Sequence, residues 1–103
     1  MARSYSSIVM DFEAAKRRAK ELDEVANDLS RLSRNQFGST LEDLSRSWTG
    51  DNSVKYIGKG RNLQGNMDKS VQSLREVATA IRQIAEAVYE AEMRAWERAQ
   101  NRD

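Results

Sequence analysis

Apolar side chains recur in steps of three and four along nearly the whole chain, and no proline interrupts them. In the first half they fall at Ile8, Phe12, Ala15, Ala19, Leu22, Val25, Ala26, Leu29, Leu32, Leu41, Leu44 and Trp48. In the second half they fall at Ile57, Met67, Val71, Leu74, Val77, Ala78, Ile81, Ile84, Ala85, Val88, Ala91 and Ala95, with charged residues on the opposite side. This is the period of a helix with one face against a core, and β-branched residues are too scattered to alternate as strands. The fold class predicted is all-α, as two long helices over residues about 7–46 and about 52–99. Residues 47–51 leave room only for a tight turn, so the two helices run antiparallel as a hairpin, one domain over residues 1–103.

Two stretches disturb the pattern. In "NQFGSTLED", Gly38 stands where a helix end favours glycine, and Ser39 and Glu42 follow in capping-box spacing, so a break at 37–39 is an alternative to one continuous helix. In "YIGKGRNLQGN", Gly58, Gly60 and Gly65 each cost a helix about 1 kcal/mol relative to alanine. They signal either fraying or a place where another group lies close to the backbone. Their spacing matches neither the dinucleotide nor the P-loop signature.

The apolar face of the second helix, from Leu74 through Ala91, is wider than the seam of a simple helix pair. A two-helix hairpin leaves part of such a face exposed, and pairing two hairpins into a four-helix bundle covers it. Homodimerisation about a two-fold axis is the simplest solution, and a heterodimer with a related hairpin satisfies the same physics. Leu22, Leu29, Leu74, Ile81 and Val88 are the candidate dimer-interface residues.

Chemistry is sparse. The chain has no histidine and no cysteine, which removes disulfides, thiol nucleophiles and the commonest metal ligand. Its carboxylates are interspersed with lysine and arginine, and pairs such as Asp11 with Lys16, or Glu21 with its basic neighbours, read as solvent-face ion pairs. The sequence therefore predicts no catalytic residues, no metal and no cofactor. Seventeen basic against sixteen acidic residues leave a net charge of +1, and the small excess at Lys55, Lys59, Arg61 and Lys69 falls short of a nucleic-acid footprint. No apolar run reaches the length of a membrane span, and "MARSYSSIVMDF" lacks the apolar core of a secretory signal.

Trp48 and Gly50, in "WTG" at the junction of the two helices, have a structural reading: an amphipathic ring closing the end of the bundle, and a positive φ in the turn, with Asp51 or Ser53 capping the next helix. Placed between two long helical patterns in a chain of this length, the motif also resembles the ESAT-like WXG family of type VII secretion proteins. The resemblance covers the chain in architecture. It implies a non-catalytic helical-hairpin dimer, cytoplasmic before export and secreted without a cleavable signal peptide. Its implied partners are a type VII secretion ATPase or a larger co-secreted substrate.

Family members carry a C-terminal signal, a tyrosine followed four residues later by an acid. Here Met93 occupies that place after Tyr89, and Glu92, three residues on, is the nearest substitute; Trp96 adds a second aromatic one heptad further. Tyr89, Glu92 and Trp96 are thus the candidate secretion or partner-recognition residues, and Tyr89 and Trp96 also read as an aromatic ridge packing on a neighbouring helix. The competing function is a non-secreted helical adaptor or chaperone for a toxin or larger assembly.

Overall fold

The structure, a computed structural model, describes residues 3–102. The described residues form three α-helices: α1 over Tyr5–Arg31, α2 over Gly38–Ser47 and α3 over Asp51–Gln100. A π-helical turn, Leu32–Phe37, joins α1 to α2 without interrupting the helical path. No strand occurs among the described residues, so the chain is all-helical and forms a helical hairpin. The helices run one residue or two beyond the predicted bounds at each end, a difference within ordinary fraying.

Of the two alternatives for the first half, one continuous helix or a break at 37–39, the break does not occur. Gly38 has φ −61° and ψ −45°, ordinary right-handed helical values, and neither it nor Phe37 receives a side-chain cap. The irregularity lies one turn earlier, and it widens the helix instead of ending it. Nor do the glycines of the second half fray their helix: α3 is continuous through all three. At Gly60 the reason is a close approach, since a Cβ there would stand 2.5 Å from Leu41 Cδ2. Gly58 and Gly65 have no such neighbour.

Contacts divide the chain into two compact units. The first combines residues 1–23 with 76–103, and the second is residues 24–75. In the first, Ile8, Ala19 and Ala78 are fully buried, and the Arg82 guanidinium pairs with the Asp23 carboxylate at the margin. In the second, Ala26, Leu41 and Val71 are buried together with Ser33 and Ser53. Alanine at three of the six buried apolar positions fits helices that approach closely along a narrow seam.

Along α3 the buried and half-buried positions run 53, 57, 60, 64, 67, 71, 74, 78, 81 and 85, alternating steps of four and three. That is a two-residue-per-heptad seam. The wide apolar face of the sequence is therefore split. Leu74, Ala78, Ile81 and Ala85 turn inward, while Val77 at 49%, Ile84 at 64% and Val88 at 48% remain exposed.

Gly65→Ala is expected to raise stability by about 0.5–1 kcal/mol, because it adds helix propensity and meets no neighbour. Gly60→Val is expected to lower it by about 1–3 kcal/mol through overpacking against Leu41. Denaturant melts of the two variants test the assignment, and it fails if they shift in the same direction.

Candidate functional site

The turn between α2 and α3 is built from its backbone outward. Trp48 leaves the helix with φ −116° and ψ 117°, and its N–H donates to the Leu44 carbonyl at 2.8 Å. Gly50 has φ 110°, a conformation that side-chain-bearing residues rarely adopt, so glycine is required there. Its carbonyl accepts from the Val54 N–H at 3.2 Å and from the Ser53 hydroxyl at 2.6 Å. Ser53 does not cap α3 by accepting a backbone N–H; it is buried and donates backwards. Asp51 occupies the first turn, where a negative charge suits the positive end of the helix dipole.

The Trp48 ring is 40% exposed and lies nearly parallel to Tyr56, with centroids 6.2 Å apart and planes at 14°. The Lys59 ammonium sits 5.3 Å from the Tyr56 centroid, extending the group by a cation–π contact. Beside them is an open groove of about 430 Å³, lined by Trp48, Gly50, Ser53, Val54, Ile57, Gly58 and Arg61 among others. Val54 in that lining is 73% exposed. An apolar groove with a half-exposed aromatic edge and one guanidinium can receive a helix or an extended peptide. Its lining carries hydroxyls at Ser45, Thr49 and Ser53, with no carboxylate, histidine or cysteine beside them.

Tyr89, Glu92 and Trp96 lie in the other unit, and each has a partner near the start of the chain. Tyr89 stacks on Phe12 with centroids 4.4 Å apart and planes at 22°. Trp96 meets Tyr5 at 5.4 Å and 59°, the tilted arrangement favoured by ring quadrupoles. Glu92 accepts from Arg3 at 3.2 Å, and the same guanidinium pairs with Asp11 and donates to the Ser7 hydroxyl at 2.6 Å. Hydrogen bonding to Asp11 first, and to Glu92 second, raises the Arg3 guanidinium above its ordinary range, so it stays charged. Lys16 pairs with Glu13, and not with Asp11 as its spacing suggested; Arg18 pairs with Glu21.

Of the candidate interface residues, Leu22, Leu29, Leu74 and Ile81 are half-buried within the single chain, and Val88 is exposed. The sequence reading did not select Arg3, Tyr5 and Phe12, nor Tyr56. The four aromatic or basic partners lie far along the chain or in the next helix, and local spacing carries no signal for such pairs. Among the described residues no group of three or more acidic, histidine or cysteine side chains could hold a metal. Among the described residues no helix is long and apolar enough to cross a membrane.

A family model described as proteins of 100 residues with WXG, WXG100, matches residues 7–93. No curated protein and no solved structure matches the chain.

Trp48→Ala is expected to cost about 1–2 kcal/mol, since it removes a half-exposed ring and one aromatic pair. A fully buried ring would cost about 3–5 kcal/mol. Gly50→Ala is expected to cost about 1–3 kcal/mol through backbone strain alone. Urea titration followed by circular dichroism gives both values. A loss above 3 kcal/mol for Trp48→Ala, or none for Gly50→Ala, contradicts this geometry.

Proposed function

This chain belongs to the WXG100 family, and from that premise we propose that it is a type VII secretion substrate or co-secreted partner that works through helix packing. Members of the family are small non-enzymatic proteins that act through protein–protein interactions in type VII secretion. The observation that carries the reading to this chain is the exposed apolar strip of α3. Val77 and Ile84 are seven residues apart, Val88 four further, and all three are about half exposed or more while the inner seam is already filled. Only six apolar residues among the described residues are buried, and three of those are alanines, a thin core for a chain of this size. Covering the strip adds the burial that the single hairpin lacks.

A second copy of the chain is the simplest cover, in a four-helix bundle with the strip at its centre. A related hairpin is the alternative cover. In this reading Trp48 and Gly50 shape the end of the bundle, and Tyr89, Glu92 and Trp96 form the surface that the export machinery or a larger co-exported protein recognises. In this reading the chain passes from the cytoplasm to the exterior.

One observation favours a second reading, a non-secreted adaptor or chaperone. The acid expected four residues after Tyr89 is replaced by Met93, and the nearest acid, Glu92, is already paired with Arg3. The same helical strip serves either role, and export alone separates them.

Light scattering after size exclusion is expected to give twice the mass of the chain for the parent protein. Val77→Glu with Ile84→Glu is expected to give a monomer that remains helical, because both positions are exposed in the single hairpin. A parent that stays monomeric and weakly helical directs the search to a heterologous hairpin. In cells, the protein is expected in the medium only when a type VII ATPase is functional; retention in the cytoplasm with that ATPase active establishes the adaptor reading instead.

A further inference from the structure

The π-helical turn at Leu32–Phe37 coincides with a change in the spacing of the seam. Up to that point the inward positions of α1 follow steps of four and three: Ile8, Phe12, Ala15, Ala19, Leu22, Ala26, Leu29, Ser33. The next two are Phe37 and Leu41, two consecutive steps of four, so Ser33 and Leu41 are eight residues apart where Ala19, Ala26 and Ser33 are separated by seven. The facing helix α3 shows no such change, with Ile57, Gln64, Val71, Ala78 and Ala85 each seven apart. One side of the seam holds one residue more than the other.

A π turn absorbs such an excess, because its hydrogen bonds close on the fifth residue instead of the fourth. The Gly38 N–H donates to the Ser33 carbonyl, five residues back. That carbonyl also accepts from Gln64 Nε2 of α3 at 2.8 Å. The Ser33 hydroxyl, fully buried, donates to Asp68 Oδ1 at 2.9 Å. Gln64 and Asp68 are one helical turn apart on α3, so they grip the backbone and the side chain of one residue. A Cβ on Gly38 would lie 3.0 Å from Gln64 Nε2 and 3.2 Å from the Ser33 carbonyl oxygen, which explains glycine at this position.

We propose that the Leu32–Phe37 turn houses one inserted residue, held open by Gln64 and Asp68, and that it is the positioning device for Trp48. One residue in a helix is a rotation of about 100°. Without the extra residue taken up in the π turn, Leu41 would leave the seam, and Trp48, seven residues further, would turn away from Tyr56 by the same angle. Ser33, Gly38, Gln64 and Asp68 therefore act on the Trp-x-Gly tip from a distance.

The test is a deletion. Removing Gln36, an exposed residue of the π turn, brings Ser33 and Leu41 back to seven residues and is expected to leave a regular α-helix. In a Trp96→Phe background, where Trp48 alone reports, this variant is expected to melt cooperatively within about 5 °C of its parent and to keep the parent's Trp48 emission. Removing Glu24, exposed and within the regular part of α1, throws the seam out of phase and is expected to lower the midpoint by more than about 10 °C. Gln64→Met is expected to lower the midpoint of the parent but not that of the Gln36 deletion, whose Ser33 carbonyl has an ordinary helical partner. The proposal is overturned if the Gln36 deletion loses as much as the Glu24 deletion, if its Trp48 emission moves to that of the unfolded chain, or if Gln64→Met lowers both backgrounds equally.

Discussion

The helices of this chain meet along a narrow seam, with alanine at three of the six buried apolar positions among the described residues, and the rest of the structure follows from that narrowness. Ala19, Ala26 and Ala78 are fully buried, which fits closely spaced helix axes but contributes little apolar area per position. A narrow seam has one further consequence. It takes up two positions per heptad of α3 and leaves the remainder of a three-position apolar face outside. Val77, Ile84 and Val88 are outside because Leu74, Ala78, Ile81 and Ala85 already occupy the inside.

Small side chains specify register weakly, since one alanine fits where another does. Polar contacts supply what the alanines lack. Ser33, buried among apolar positions, is satisfied on both its hydroxyl and its carbonyl by residues of α3, and no buried side-chain polar atom among the described residues lacks a partner. A slipped register would strand these groups without hydrogen bonds, at a cost larger than the contacts themselves provide. Near the chain start, the Arg3 guanidinium between Asp11 and Glu92, with the stacked rings of Phe12 and Tyr89, ties the first turns of α1 to the last turns of α3. These surface ion pairs hold position more than they stabilise.

The candidate recognition features divide between the two units. In the second, the glycine-dependent turn presents Trp48 half exposed beside an open groove. In the first, Tyr89, Glu92 and Trp96 are already engaged by Phe12, Arg3 and Tyr5. Any partner that reads those three residues reads them as part of a composite surface with the N-terminal turns, and not as a free helix end. Members of the WXG100 family act through protein–protein interactions, and the uncovered strip on α3 supports the proposed association.

The sequence by itself determined the helices, their approximate limits and the turn at Trp48–Gly50, because a period of three and four and the absence of proline act locally, residue by residue. Gly50 was legible for the same reason, since its φ of 110° is a property of one residue. What only the tertiary structure decided is which apolar residues of the wide face turn inward, which rings pair, and where the extra residue of the first half is lodged. Helical spacing tolerates a step of three or of four at any point, so two successive steps of four from Ser33 to Leu41 look regular until the facing helix is laid alongside. Gly38 marked the right neighbourhood for the wrong reason: it is needed for the approach of the Gln64 amide, and not to end a helix. Pairings such as Tyr5 with Trp96 join the two ends of the sequence, and only folding the chain back on itself brings them within reach.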